Sequence, residues 1–587
     1  MSKKWILKRI QADYPALSAR FGLDPVVIRV LVNRGYDSVE AIEKYLENDA
    51  AQFESSSGLI DLEKAEAALI KFREENRKVR IIGDYDIDGV CSTTILLKGL
   101  KRFGLEVDYV IPHRVYDGYG MNKNLIEKAK DDGITAIITC DNGISAHEEV
   151  ALAKSYGIDV VVTDHHDIPE ILPDALAVVD PKREESTYPN REICGAFVAY
   201  KLIAKILWNA SSEVSTKADG ALRDELRMLA GFATVGDVMP LSPENRSLVR
   251  FCLEHIKDGL NLGMSALLEA TDLAEKSVNS YSIGFVLGPC INATGRIASA
   301  DNALELLMSE DPQKAKSLAE QLKAMNEERK QLTEEGQSRA SAMVRESGMD
   351  DKVLILFLPD IHESIVGIIA GRVKEEFYRP AIVFTEVEDG VLKGSGRSIE
   401  GYNMFEHLCE CSDLLGKFGG HPMAAGLSIR KENLEAFREK MNKNANLTEE
   451  DLTQILNIDA DMPFSYVTEK LIGDLSVLEP YGAKNEKPVF ARKEVTFTSG
   501  KIFGKNSNVG VYTVKEANSG NRVFKLKFFR DLPAFHNFLD SEFGEGSSAA
   551  LYKGKEFTLK VAYYPDLNEY MGVRNVEFVM LDYARSE

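Results

Sequence analysis

The sequence runs to 587 residues, enough for about three to five domains at roughly 100–200 residues each. With 71 basic and 92 acidic residues it carries a net charge of −21; 44% hydrophobic and 28% charged residues exclude wholesale disorder and collagen-like or disulfide-dense scaffolds. The acid excess argues against a nucleic-acid binder unless cations are gathered in a groove or divalent metal is recruited.

Neither the N-terminal MSKKWILKRIQADYP nor any later segment has the apolar run of a secretory signal or a membrane span. The seven cysteines are scattered, and Cys409 with Cys411 is not a zinc spacing. An odd count suits a reducing compartment, so a soluble cytoplasmic protein without a membrane partner is expected. Residues 1–60 predict helices with no obvious chemistry. From Lys78, short apolar strands alternate with amphipathic helices, the mark of a parallel α/β sheet. The predicted strands are 79–82, 107–111, 134–139 and 158–163, with helices near 89–103, 122–131 and 146–156. GAFVAYKLIAKILWN reads as a mostly buried helix. Residues 222–345 predict helices ending in a long charged one, read as a solvated connector. A second small α/β unit begins at VLILFLP (353–359) and runs to about Ile429. Near the end, EVTFTS, GVYTV, VFKLKFF, EFTLKVAYY and VEFVMLDY are five strands that suit a small barrel such as an OB-fold.

Acids and histidines gather just after the predicted strands and after a predicted helix over 222–235. GDYDIDG supplies Asp84, Asp86 and Asp88; CDNG supplies Asp141; DHHD supplies Asp164, His165, His166 and Asp167; VGDVMPL supplies Asp237. In an open parallel sheet, groups at the carboxyl ends of neighbouring strands converge over one crevice. So many carboxylates would raise one another's pKa and resist folding. Divalent metal resolves the conflict, and oxygen ligands with imidazole suit Mn²⁺ or Mg²⁺. The set is large enough for two ions roughly 3.5–4 Å apart, the arrangement of phosphoryl hydrolysis. Singly, a DxD is a turn or helix-cap feature and HH after a strand is weak; together they predict a metal centre.

GDYDIDG, IPHRVYDGYG, TCDNG, VTDHH and VGDVMPL occur in the order found in the DHH phosphoesterase superfamily, and IPHRVYDGYG narrows the resemblance to the RecJ single-stranded-DNA exonucleases. It continues through GPCINATGR, IVGIIAGRVKEEFYRP, GSGRSI, GGHPMAAGLSI and EPYGAKNEKPVF, covering about residues 60–490. The resemblance implies an N-terminal helical extension (1–60), a DHH catalytic domain (61–245), a helical connector (246–345), a DHH-associated domain (346–445) and an OB-like barrel (446–587). It also implies Mn²⁺- or Mg²⁺-dependent 5′→3′ release of mononucleotides from single-stranded DNA, in repair and recombination, with a helicase and a single-strand-binding protein as partners. Carried onto this sequence, Asp84, Asp86, Asp88, Asp141, His165 and Asp237 are the expected metal ligands, with Asp141 bridging. Asp141, His165 and His166 are the expected catalytic residues, and Asp164 with His166 can orient ligands. Cys290, Ser364, Lys484 and Glu486 depart from the family pattern, Cys290 standing where many relatives carry Arg.

The remaining motifs make sense as phosphate grips. His113, Arg114, Arg296, Arg372, Arg397 and His421 are the expected substrate contacts, with Gly394, Gly396, Gly419 and Gly420 permitting close backbone approach. In the barrel, Phe497, Tyr512, Phe524, Phe528, Tyr563 and Tyr564 are candidate base-stacking partners, although alternating strand aromatics are more often core. Lys525, Lys527, Lys560 and Arg530 supply local positive charge. Two other readings are kept: a DHH-type phosphodiesterase for short oligonucleotides or cyclic dinucleotides, and a non-catalytic replication scaffold. Length and barrel favour the long strand, and the clustered acids speak against the scaffold.

Overall fold

The computed structural model describes residues 3–47, 53, 55–114, 118, 120–208, 217–347, 350–388, 390–504, 507–517, 520, 522–570 and 573–586. In chain order, β1 (Lys4–Leu7) precedes helices Tyr14–Phe21, Pro25–Asn33 and Val39–Leu46. Then come β2 (Lys78–Ile82), β3 (Glu106–Val110), β4 (Ala136–Cys140), β5 (Asp159–Thr163) and β6 (Ala177–Val179). Helices fill most of the described residues from Gly195 to Glu346. After them lie β7 (Leu354–Phe357), β8 (Ala381–Glu388), β9 (Val391–Arg397), β10 (Leu415–His421) and β11 (Ala424–Arg430). The chain finishes through β12 (Ile455–Ile458), β13 (Ala460–Asp461), β14 (Phe490–Phe503), β15 (Val509–Glu516), β16 (Phe524–Phe528), β17 (Phe557–Tyr570) and β18 (Val573–Arg585). Two compact units result: Asn48–Leu452, and a discontinuous one made of Met1–Glu47 with Thr453–Glu587.

In the Asn48–Leu452 unit, five parallel strands lie in the order β3-β2-β4-β5-β6. Their near-continuous apolar runs, such as AIITC in β4, are buried on both faces by helices. The chain moves outward from β2 to β3, then returns to place β4 on the other side of β2. That reversal is the switch point at which parallel sheets open a crevice above their carboxyl ends. Register keeps those ends level, with Ile82 opposite Thr139 and Cys140 opposite Thr163. The pattern predicted the first four strands to within two residues; β6 was not anticipated.

The long charged helix Pro312–Glu346 differs from its expectation as a solvated connector. Ala315, Leu318, Ala319 and Leu322 join the core around the parallel sheet, while Ala340 and Val344 join a second core against β7, β8 and helix Glu363–Phe377. Its buried stripe is made largely of small residues, so the charged remainder dominated the pattern. The second sheet has the order β10-β11-β9-β8-β7, with only β7 and β8 parallel. Gly394 and Gly396 on β9 permit close packing: a Cβ on Gly394 would lie 2.5 Å from the Phe384 ring, and one on Gly396 3.2 Å from Met404 Sδ.

The discontinuous unit is built on a closed barrel. Its strands run β14-β15-β16-β18-β17, and β17 pairs back onto β14. The expected base-stacking aromatics Phe497, Tyr512, Phe528 and Tyr563 are buried in the barrel core, because inward positions alternate along each strand. Phe524 and Tyr564 are half-buried. Residues 1–60 were expected to be helical, yet β1 opens them and pairs in parallel with β12. Val27, Ile28, Leu31 and Tyr45 then share a core with Phe464, Leu478 and Phe490. Asn485 of the YGAKNEKP stretch holds this joint: it donates to the carbonyls of Leu478 and Pro480 and accepts from the Tyr45 hydroxyl at 2.9 Å.

Candidate metal centre and phosphate pocket

Most of the acids emerge from strand ends and are locked by local backbone, whereas Asp237 follows helix Lys217–Gly236. After β2, Asp86 caps helix Ile87–Phe103, accepting from the backbone N–H of Asp88 at 2.9 Å and Gly89 at 3.1 Å. The sequence's weaker reading of DxD as a cap is therefore true of Asp86, alongside any other role. Asp88 turns inward, and its carboxylate accepts from Gly195 N at 2.6 Å and Ala196 N at 2.8 Å, where helix Gly195–Trp208 begins. Gly195 has no room for a side chain, since a Cβ there would lie 2.8 Å from Asp141 Cβ. Asp141 follows β4 with a left-handed φ of 61°, held by its own N–H to Thr163 O and by Asn142, which donates to Ile82 O and Cys140 O. Asp164 follows β5 and accepts from the backbone N–H of Ile144, His165 and His166 and from His166 Nδ1 at 2.8 Å. One buried carboxylate thus ties the loops after β4 and β5 together.

These constraints bring the predicted acids to one place. His165 Nε2 stands 3.1 Å from Asp141 Oδ1, 3.5 Å from Asp88 Oδ2 and 3.7 Å from Asp237 Oδ2. Among the described residues, three groups have ligand atoms within 4.8 Å of one another: Asp84, Asp86 and Asp141; Asp141, His165 and His166; Asp88, His165 and Asp237. Asp141 belongs to two of them. Asp84 Oδ1 and His165 Nδ1 are buried and make no hydrogen bond. Burial, then Asp86, pushes Asp84 well above the ordinary carboxylate range. Burial, then Asp88 and Asp86, does the same to Asp141 and Asp237. Burial pulls His165 down, keeping it a neutral donor of a lone pair. It also pulls on His166, but the hydrogen bond to Asp164 wins and holds His166 up at about 9. Oxygen-rich groups with orphaned atoms and raised carboxylates fit a pair of hard divalent cations.

Next to this cluster lies a cavity of about 750 Å³ with the opposite charge. Arg114, Arg296, Arg397, Lys393 and Lys417 line it, and the one acid among its described lining residues, Glu363, is engaged by Lys393 at 2.7 Å. Arg296 donates to Ser364 O at 2.7 Å, and Arg397 to Ser395 Oγ and Gly396 O. Arg114 sits 4.9 Å over the ring of Tyr85, the residue between Asp84 and Asp86. Burial, then Arg114 and Arg329, lowers Arg296 to about 10; burial and Arg114 also lower Arg397.

Three of the six expected substrate contacts line this cavity. His113 stays half-buried beyond β3, outside the lining. Arg372 is also outside; it bonds Gln337 at 3.0 Å across to helix Pro312–Glu346, because its helix packs there. His421 is exposed at the end of β10 and reaches Asp167 of the DHHD loop at 3.4 Å. Cys290 is buried beside Asn326 of the long helix. Sequence reasoning missed Tyr85, Lys393 and Lys417; only their positions inside or beside the glycine-rich motifs could have drawn attention to them. Part of the IPHRVYDGYG stretch, residues 115–117 and 119, lies outside the described residues.

The comparisons with known proteins agree with this layout. Residues 78–230 match the DHH family, N-terminal domain; 350–446 match the DHHA1 domain; 458–582 match the RecJ OB domain. The single-stranded-DNA-specific exonuclease RecJ of Bacillus subtilis is 35% identical over 520 residues, 88% of this chain and 65% of that protein, so this chain spans about two thirds of its length. That of Salmonella typhimurium is 33% identical over 460 residues, 76% of this chain and 78% of the relative. The crystal structure of RecJ in complex with Mn²⁺ from Thermus thermophilus superposes with a TM-score of 0.81 at 23% identity, covering 100% of this chain and 80% of that one. The chain belongs to the RecJ family of DHH-domain proteins.

Proposed function

We propose that this chain is a metal-dependent 5′→3′ exonuclease, hydrolysing phosphodiester bonds of single-stranded DNA to mononucleotides in cytoplasmic repair and recombination. One observation carries the reading: a crowded carboxylate cluster and an arginine-lined cavity lie side by side in one unit, with Tyr85 between two of the acids and beneath Arg114. A phosphodiester joined to a second phosphate is the ligand that needs both. The names of the relatives, single-stranded-DNA-specific exonucleases, support the substrate class. The six buried free thiols suit a reducing compartment. Among the described residues, no helix is long and apolar enough to cross a membrane.

Two ions, Mn²⁺ or Mg²⁺, would be held by Asp84, Asp86, Asp88, Asp141, His165 and Asp237, with Asp141 shared. When bound they supply charge neutralisation, an activated water and polarisation of the phosphodiester. The chain's own groups do the rest. Asp164 fixes the angle of His165 and keeps His166 protonated, so that the imidazolium can donate to a phosphoryl or leaving oxygen. Arg114, Arg296 and Arg397 take the terminal 5′-phosphate, which places the next phosphodiester over the acids. A helicase and a single-strand-binding protein are the partners this reading expects, since the substrate must first be unwound and kept open.

The test compares a 5′-labelled single strand, a blunt duplex and a dinucleotide, each with Mn²⁺ and with Mg²⁺. Mononucleotides from the strand, with a resistant duplex, are the expected outcome. Rapid cleavage of dinucleotides with inert long strands would replace this reading by that of a short-substrate phosphodiesterase. No hydrolysis of any substrate would leave the scaffold.

A further inference from the structure

The helical stretch from Ser280 to Ile297 carries a feature that hydrolysis does not use. Its segment Ile283–Leu287 is a π-helix, and the GPCINATGR residues continue it as an ordinary helix. Tyr281 and Phe285 face solvent, with 66% and 64% of their surfaces exposed, and their rings stack at 4.7 Å and 22°. Two large aromatics stacked on each other in water bury little and leave an open ring face. From them, a stripe at helical spacing runs through Pro289 and Asn292 to Arg296, exposed or half-buried throughout. Opposite it, Ile283, Leu287, Cys290 and Ile291 are buried.

The stripe passes the catalytic features in order. Arg296 lines the cationic cavity. Asn292 accepts from Ile87 N at 2.7 Å, so it abuts the GDYDIDG loop. The aromatic pair comes last. At ~1.5 Å per residue, Arg296 to Asn292 is ~6 Å and Asn292 to Phe285 ~10 Å. The first is about one step of an extended nucleic-acid strand, the second between one and two. Val238, directly after Asp237, adds a further apolar group on this side: it is 70% exposed and held at a left-handed φ of 58°, which a β-branched residue adopts only under constraint. Gly236 and Gly288 both crowd Ile87, which brings the end of the Asp237 helix beside the C-terminal end of the π segment.

Resting on the exonuclease reading above, we propose that Tyr281 and Phe285 form a base-stacking platform for the second and third nucleotides of the single strand, downstream of the bond being cut. The order along the stripe gives the platform its direction: terminal phosphate at Arg296, scissile phosphate at the acids beside Asn292, following bases on the rings. Stacking is indifferent to base identity, which suits an enzyme that must degrade any sequence. It also supplies affinity that does not depend on basic residues, in a chain whose net charge is −21.

The test measures kcat/KM for a 5′-phosphorylated dodecamer and for a dinucleotide, with the full chain and Mn²⁺. In Y281A/F285A the dodecamer-to-dinucleotide ratio falls roughly tenfold or more, through KM, while F285W keeps the wild-type ratio. An unchanged ratio in the double variant overturns the platform, as does F285L performing as well as F285W, which would make the patch merely apolar. A second measurement needs neither substitution nor turnover. A dodecamer with 5-iodouracil at its third nucleotide, irradiated on the wild-type protein in EDTA, should crosslink to the peptide bearing Tyr281 and Phe285; crosslinks confined to other peptides overturn the proposal. Failure of the exonuclease reading would show differently, as a wild-type protein that leaves the dodecamer intact.

Discussion

The acid cluster and the arginine cavity of the Asn48–Leu452 unit are both concentrations of one charge, and neither is used to neutralise the other. A third group in the same sheet shows what pairing looks like: Arg80 on β2 forks onto Asp108 at 2.7–2.9 Å and onto Asp132 at 2.8 Å. There the ions are matched and nothing is left to bind. Near the carboxyl end of that strand, burial and then neighbouring carboxylates hold Asp84, Asp141 and Asp237 above the ordinary carboxylate range, while burial and then neighbouring arginines pull Arg296 and Arg397 down. On the function proposed above, the two sites are halves of one receptor whose counterions come from outside: metal on one side, phosphate on the other.

The most damaging change should be on the acid side. Asp141→Asn is expected to lower Mn²⁺-dependent hydrolysis by about a thousandfold or more, yet the metal-free variant should melt several degrees above wild type, because a crowded buried charge is gone. Calorimetry without metal and a turnover assay check both halves; a less stable, fully active variant would break the comparison. On the cation side, Arg397→Ala should cost about ten- to a hundredfold, mainly in KM for 5′-phosphorylated strands. Mn²⁺ affinity measured by titration calorimetry should be unchanged. If metal binding falls instead, the two sites are not separable as described.

The third expectation concerns pH. Between the unfolded carboxylate pKa near 4 and the raised native values, the folded state binds more protons than the unfolded chain, so stability falls as pH rises. His166 acts in the same direction: its contribution is full below its ordinary 6.5 and is lost as pH passes about 9. Metal-free protein should therefore melt lower at pH 9 than at pH 6, and the rise in Tm on adding Mn²⁺ should grow with pH. A metal-free Tm that climbs over that interval would contradict the raised carboxylates. The smallest effect is expected for Arg372→Gln, less than about threefold on turnover, since its guanidinium faces Gln337 rather than the cavity.

What was legible in the sequence followed from period and polarity. Apolar runs of parallel-strand type end in acids, and in a parallel sheet those ends must share an edge; Asp84, Asp141 and His165 could be brought together on that ground alone. The cavity was half legible. Arg296 and Arg397 sit inside distinctive motifs, whereas Lys393 and Lys417 look like any surface lysine until the second sheet is folded. Alternation in the barrel strands marks Tyr512 and Tyr563 as inward or outward without saying which, and burial settled that for the core. The buried face of helix Pro312–Glu346 was hidden because small and polar residues make up much of it between Leu318, Leu322 and Val344. No local pattern announces that Val27 and Ile28 belong with Phe490.

That last pairing bears on how the protein is made. The first 47 residues have their partners in the segment Thr453–Glu587, so during synthesis they wait for some four hundred residues to appear. At roughly 5–20 residues per second, the delay is from about twenty seconds to over a minute. Throughout it the apolar faces of helices Pro25–Asn33 and Val39–Leu46 hang from the ribosome uncovered, an opening for chaperones and a hazard in crowded expression hosts.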